Sequence, residues 1–470
     1  MLSKTDYRLF LEAPLHLWAT KNDLIERTPS LQEQHRMKQG REVEALAQTF
    51  ADQYICAGSD LEIGFQQTFV DGEFMARVDI LTRHVEDNIV DIYEVKSSTS
   101  IKKEDLHDVT FQRLVCEANE RVGSVYLIYL NKEYVREGAI DLTQLFTVKN
   151  LDSEIEALRS EVAEAREEAR LISGVDSPDG IFGCLKPDEC PCPSLCHGSL
   201  PEYSVFDVPR LYGDKIRQLL ERGIRSIKDI PADFPLSKKQ QQHVEAIKSG
   251  APQIRRRQIA RELQGLSYPL SFLDYETFGP AIPLFDGYKP YKPIVFQYSL
   301  HVLKELDSEH EHFEFLQTDC EDPGPPLLEH LTRHLPETGS VIVWYKPFEV
   351  TRNREMTERY PEHREFIDNL NDRIYDLMEI FSKGLYIHPD FHGSASIKRV
   401  LPVLVPELDK GHSGLQISNG EEAMLAWFKI ISGEVPEGTA EQTRQDLLVY
   451  CELDTLAMVM IYRMLCEELL

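Results

Sequence analysis

Tyr268-Pro269-Leu270-Ser271-Phe272-Leu273-Asp274-Tyr275-Glu276-Thr277 is the stretch on which the reading of the second half of this chain turns. Its apolar run predicts a buried strand. Side chains alternate along a strand, so Asp274 and Glu276 emerge on one face. A second strand, Ile294 to His301, is expected to pair with it. A third, Ser340 to Tyr345, runs into Lys346-Pro347-Phe348-Glu349. The chain closes with a long amphipathic helix that contains Leu447-Leu448-Val449-Tyr450-Cys451-Glu452-Leu453-Asp454-Thr455. Tyr450 and Asp454 are four residues apart and share one helical face. The plain alternatives are a strand-end turn for the first pair and an exposed helix pair for the second.

The first half has a comparable framework. Strand-like runs cover Leu61 to Val70, Phe74 to Leu81 and Ile89 to Val95, and Asp71-Gly72 between the first two is a hairpin signal. A helical stretch from Glu104 to Arg121 follows, then a short apolar strand from Val125 to Leu130. Asp79 lies on the second run, and Glu94 and Lys96 share a face of the third. An Asp and a Glu on neighbouring strands can hold one Mg²⁺ or Mn²⁺, and a Lys beside them can orient or deprotonate the attacking water. A cross-strand salt-bridge network is the alternative.

These residues resemble the PD-(D/E)XK nuclease superfamily, in its RecB-like branch, over roughly residues 5–200. The resemblance implies a restriction-endonuclease-like domain with Asp79, Glu94 and Lys96 as catalytic residues and Gln112 on the following helix. In Gly40-Arg41-Glu42-Val43-Glu44, Glu44 takes the place of the branch's metal-binding His, and a surface role is the expectation for it. The second half resembles the Tyr-bearing DEDD exonucleases of the ribonuclease-H-like superfamily. Asp274 and Glu276 match the first motif, and Tyr450 and Asp454 the third. The second motif ends in Glu349 where Asp is usual, and Asp376 matches an Asp that often follows it and is usually structural. The implied metal set is Asp274, Glu276, Glu349 and Asp454, or one that recruits Asp376, with two metal ions and Tyr450 orienting the water. The whole order of motifs, His392 to Lys398 included, is similar to a bacterial family known by a domain-of-unknown-function label.

Cys184, Cys190, Cys192 and Cys196 form a dense cluster among Pro187, Pro191 and Pro193. Four thiolates suit Zn²⁺ or a 4Fe-4S cluster. RecB-like relatives add a cysteine near Leu11 to Trp18, where this chain has Ala13, so Cys192 is the candidate fourth ligand of a local site. Domains are expected at 1–200, 266–470 and a helical linker at 201–265, where Leu219 to Ile230 faintly resembles a helix-hairpin-helix element.

The 470 residues carry 79 acidic and 51 basic side chains, a formal charge of −28. That argues against a non-specific coat on nucleic acid, since phosphate contacts need local Lys and Arg. It leaves room for carboxylates that meet phosphate through cations. No export signal and no run of about 18 apolar residues is present, so a cytoplasmic protein without a membrane partner is expected. The expected activity is metal-dependent phosphodiester hydrolysis, on DNA sooner than RNA, in repair or phage defence. The alternative is a nucleic-acid-binding adaptor with one or both sites inactive; protein partners are not readable.

Overall fold

The chain enters its first sheet immediately. Strand β1 (Leu2–Ser3) lies parallel to β3 (Phe74–His84), which forms an antiparallel hairpin with β2 (Leu61–Asp71). Gly72 closes that hairpin at a φ of 57°, a left-handed conformation that costs a residue without a Cβ little. Strand β4 (Ile89–Lys96) runs antiparallel to β3, β5 (Arg121–Leu130) parallel to β4, and β6 (Phe146–Asn150) antiparallel to β5. The sheet order is β1-β3-β4-β5-β6, with β2 on β3. The helix expected to reach Arg121 spans Lys103–Cys116 instead. Asn119 donates to the carbonyls of Val70 and Val115, and the chain turns there. Arg121 already belongs to β5, opposite Ile89. The Glu- and Arg-rich helix Asp152–Ser173 is charged outside, but Ile155, Val162 and Ala169 recur at sevens and enter the core beside Val109 and Val115.

The second sheet is built around β8. A two-stranded ladder of β7 (Gln253–Ile254) with β13 (Tyr386–Ile387) stands apart from it. Strand β8 (Leu270–Phe278) pairs antiparallel with β9 (Ile294–Leu303), and β9 with β10 (His310–Leu316). On its other edge β8 is parallel to β11 (Val341–Val343), followed by β12 (Ile374–Asp376). The strand expected to run to Tyr345 therefore stops at Val343. Tyr345 takes a φ of 86° and caps the helix Lys346–Arg359. The helix Glu437–Leu469 packs along β8 and β9, and Gln297 Nε2 donates to Leu447 O at 2.7 Å.

The computed structural model describes residues 1–57, 60–408, 417 and 419–469. Contacts divide the chain into two compact mixed α/β units: Met1–Ser199 with Gly279–Lys292, and Leu200–Phe278 with Pro293–Leu470. The first unit includes Gly279–Lys292 because Arg136 donates to Pro283 O and Leu284 O, and Lys289 pairs with Glu133. The stretch read as a linker belongs to the second unit. It folds as helices Asp214–Glu221, Lys238–Ser249 and Arg256–Gln264. Among the described residues no helix is long and apolar enough to cross a membrane.

Trp427 is the largest fully buried side chain of the second unit; it stacks on Phe296 at 4.5 Å, and its Nε1 donates to Gln317 O at 2.7 Å. Trp427→Ala leaves a cavity and an unpaired carbonyl, and is expected to cost about 3–5 kcal/mol. Urea denaturation followed by circular dichroism measures this; a loss below about 1 kcal/mol would contradict the packing described.

Candidate functional site

In the second unit, alternation along β8 places Asp274 and Glu276 on the face covered by the Glu437–Leu469 helix. One ligand atom each of Asp274, Glu276 and Cys451 lie within 4.8 Å of one another. Glu349, in the first turn of the Lys346–Arg359 helix, feels the charges of Asp274 and Glu276 and is 1% exposed, with Oε2 unpartnered. Asp454 joins from the C-terminal helix, where the Tyr450 hydroxyl donates to it. The pKa shifts show that these charges act on one another. Burial, then Asp454, raises Asp274 well above the usual carboxylate range. Burial, then Asp274 and Asp454, raises Glu276; burial, then Asp274 and Glu276, raises Glu349. Asp454 is pushed up to about 6 by burial, against the pull of Lys398 and Tyr450. The Tyr450 phenol is held far above its ordinary value by burial and by Asp454. Asp376 stands apart from this set. Its carboxylate accepts from Tyr345 N, Lys346 N and Met378 N at 2.9–3.1 Å and so fixes the turn that carries Glu349.

A cluster of four carboxylates, with Lys398 and Arg352 as the cations that act on it, fits a divalent cation. The unpartnered, buried Glu349 Oε2 is an acceptor that such an ion would satisfy.

In the first unit, Glu94 accepts from Lys4 at 2.5 Å and from Gln112 at 2.6 Å, and pairs with Lys96 at 2.9 Å. Burial alone would raise Glu94, yet Lys4, Lys96 and Gln112 draw it well below the carboxylate range. Asp79 accepts from Val95 N at 2.9 Å and is pushed up to about 7 by burial and by the charge of Glu94. Lys96 also meets Asp108 at 2.7 Å; burial would lower it, but Glu94 and Asp108 hold it protonated. Glu44 is not the surface residue expected: Gln66 donates to both Glu44 and Asp79, and the charge of Glu44 raises Asp79 further. The structure thus gathers Asp79, Glu94, Lys96 and Gln112, and adds Lys4, Glu44, Gln66 and Asp108.

The cysteine cluster is also drawn together, by the entry helix. Leu15 N donates to Phe182 O, and Glu26 N and Arg27 N to Pro191 O, so Pro14–Lys21 packs on the loop of Cys184 to Cys196. His16, Cys190, Cys192 and Cys196 each offer one ligand atom within a 4.8 Å sphere of separations, and Cys184, Cys190 and His197 form a second such group. Cys192 does sit with Cys190 and Cys196, but the position near Ala13 is taken by a histidine. His16 Nε2 lies 3.5 Å from Cys190 Sγ. These side chains can hold a metal ion.

Sequence reading missed Lys4, Asp108, His16, Cys451 and Lys398. Asp108 precedes Gln112 by four residues on one helix, a spacing that signals a shared face. His16 lies in the Leu11 to Trp18 segment where relatives carry a cysteine. Lys4 carried no local signal, because only the β1–β3 pairing delivers it.

A family model described as Domain of unknown function (DUF2779) matches residues 271–396. It covers Asp274, Glu276, Glu349 and Asp376 and ends before Lys398, Tyr450 and Asp454. An uncharacterized protein of Mycoplasma genitalium is 26% identical over 206 residues, 40% of this chain and 31% of that protein. An uncharacterized protein of Ureaplasma parvum is 29% identical over 134 residues, 26% of this chain and 19% of that protein. The chain thus matches less than a third of the length of these relatives. No solved structure matches.

Asp454 yields a pH test on metal-free protein. Its carboxyl titrates near 6 in the fold and near about 4 in the unfolded chain, which therefore releases its proton first. Stability from this group is present below pH 4 and is lost as pH rises through 6. Asp454→Asn is expected to unfold later than the wild type in urea at pH 8, by on the order of 2 kcal/mol, with the gain vanishing toward pH 4. A gain that grows as pH falls would reverse the sign and refute the burial argument. For the sulfur cluster, elemental analysis of anaerobically purified protein should find a thiolate-bound metal, and His16→Ala and Cys192→Ala should each reduce its occupancy; full occupancy in both variants would exclude the grouping.

Proposed function

We propose that this chain is a cytoplasmic, metal-dependent nuclease with two sites: a ribonuclease-H-like, Tyr-bearing 3′→5′ exonuclease site in the second unit and a RecB-like PD-(D/E)XK site in the first. The observation that carries the reading is the convergence of Asp274, Glu276, Glu349 and Asp454, with Tyr450 bonded to Asp454. Carboxylates that raise one another's pKa are costly unless protons or cations compensate. The mixed five-stranded sheet, with its first acidic pair on the central strand, supports the ribonuclease-H-like assignment.

Asp274, Glu276, Glu349 and Asp454 would hold Mg²⁺ or Mn²⁺, which supplies charge stabilisation of a phosphodiester under attack and a more acidic water. Tyr450 keeps its proton and orients that water or a phosphate oxygen. Glu349, one methylene longer than Asp, reaches the cluster from a helix whose start Asp376 fixes. Asp376 is thereby a support rather than a ligand. In the first unit, Asp79 and Glu94 would share the cation, Gln112 orients Glu94, and Lys96 stays a charged donor toward phosphate rather than a base. At the cysteines we favour zinc over 4Fe-4S. Tetrahedral zinc sets sulfur–sulfur edges of about 3.8 Å and sulfur–nitrogen edges of about 3.5 Å. Cys192 and Cys196 are 3.8 Å apart, and Cys190 and His16 3.5 Å. DNA, in repair or phage defence, is the proposed substrate setting.

The test is digestion of end-labelled and circular DNA and RNA with Mg²⁺ or Mn²⁺. Asp454→Ala is expected to remove end-dependent nucleotide release, and Lys96→Ala only the other activity, each by about 100-fold or more. Glu349→Gln should abolish exonuclease activity while Asp376→Asn spares part of it. No metal-dependent cleavage by the wild type would sink the proposal. Loss of every activity in one folded single variant would show one composite site.

A further inference from the structure

On β9 and β10 of the second unit, a histidine cluster lies outside both proposed nuclease sites. His301 and His312 are directly opposite one another in the ladder, and their rings stack at 4.5 Å. The C-terminal helix adds Glu452 and Thr455, three residues apart and therefore on one face. One ligand atom each of His301, His312 and Glu452 fall within 4.8 Å of one another.

The hydroxyls beside them engage one nitrogen of each ring. Thr455 Oγ1 donates its proton to Glu452 O at 3.0 Å. His301 Nδ1 lies 2.8 Å and Ser299 Oγ 2.7 Å from Thr455 Oγ1, each at hydrogen-bond distance. His312 Nε2 lies 3.0 Å from Ser299 Oγ. His301 Nε2 and His312 Nδ1 are the ring nitrogens those hydroxyls leave over. His312 Nδ1 faces Glu452 Oε1 at 3.8 Å, too far for a hydrogen bond. With the ring proton on Nε2, His312 turns a lone pair toward that carboxylate, and a cation between the two would satisfy both. Imidazoles held by a hydrogen bond at the other nitrogen, next to a carboxylate, are how proteins present such ligands. A second observation points the same way. His310 stands edge-on to His301 at 4.9 Å, and its Nδ1 is buried without a hydrogen-bond partner. Burial also keeps His301 and His312 neutral and so able to coordinate.

We propose that His301, His312 and Glu452 bind one divalent transition-metal ion of the zinc class, at a site distinct from the carboxylate cluster. Nitrogen and mixed nitrogen–oxygen sets select such ions over Mg²⁺. Glu452 and Asp454 are two residues apart on a helix and so point to different sides. The bound ion fastens the helix that carries Tyr450 and Asp454 to the β9–β10 ladder.

The experiment strips the full-length chain with chelator, adds excess Mg²⁺ to occupy oxygen-ligand sites, and titrates Zn²⁺. Zinc equivalents per chain are counted, and Co²⁺–thiolate absorption monitors the cysteines separately. Compared with wild type, His312→Ala and Glu452→Gln are each expected to lose one zinc equivalent, or at least about tenfold in its affinity, with the thiolate band unchanged. Glu452 is partly exposed, so Glu452→Gln decides the matter if His312→Ala fails to fold. Equal zinc stoichiometry and affinity in wild type and Glu452→Gln would overturn the proposal and leave an ordinary hydrogen-bonded pair.

Discussion

Like charge confined in a small buried space governs the second unit. Asp274 and Glu276 leave the central strand on one face, Glu349 rises from a helix start, and Asp454 descends from the last helix. Asp274, Glu276 and Asp454 raise the proton affinity of neighbouring carboxylates, and burial raises all four. Such an arrangement destabilises the metal-free fold, so the rest of the unit must hold it closed. The antiparallel β8–β9 ladder, the Gln297 bond to the helix backbone and the Trp427 stack provide that hold. The proposed cation would turn the same repulsion into coordination.

The first unit meets the same problem differently. Glu94 is flanked by Lys4 and Lys96 and bonded by Gln112, so its charge is paid for inside the protein. Asp79 is left with the unfavourable share and sits near 7. In the first site two lysines bond the carboxylates directly, at 2.5–2.9 Å. The sulfur cluster is a third solution: soft ligands from one loop completed by His16 on a helix.

Much of this was legible in the residues. Alternation over Leu270–Phe278 set the central strand and the face of its acids, and Asp71-Gly72 set the first hairpin. What stayed hidden came from distant parts of the chain. Lys4 reaches Glu94 because β1 adds beside β3, and no local pattern encodes that pairing. Lys398 acts on Asp454 through tertiary packing alone. Boundaries failed where side chains end elements: Asn119 stops a helix early, and Tyr345, with a positive φ, stops a strand. The role of Asp376 was ambiguous because a carboxylate that ligates a metal and one that caps backbone amides look alike in sequence. In the fold its carboxylate accepts from three backbone amides.

The most direct test of the buried-charge account is an anomalous difference map from crystals of the full-length chain grown with Mn²⁺, collected at the manganese edge. The expected result is a peak bounded by Asp274, Glu276, Glu349 and Asp454, with oxygen ligands at about 2.0–2.3 Å. A map with no manganese there, and with Lys398 paired directly to the carboxylates, would contradict it.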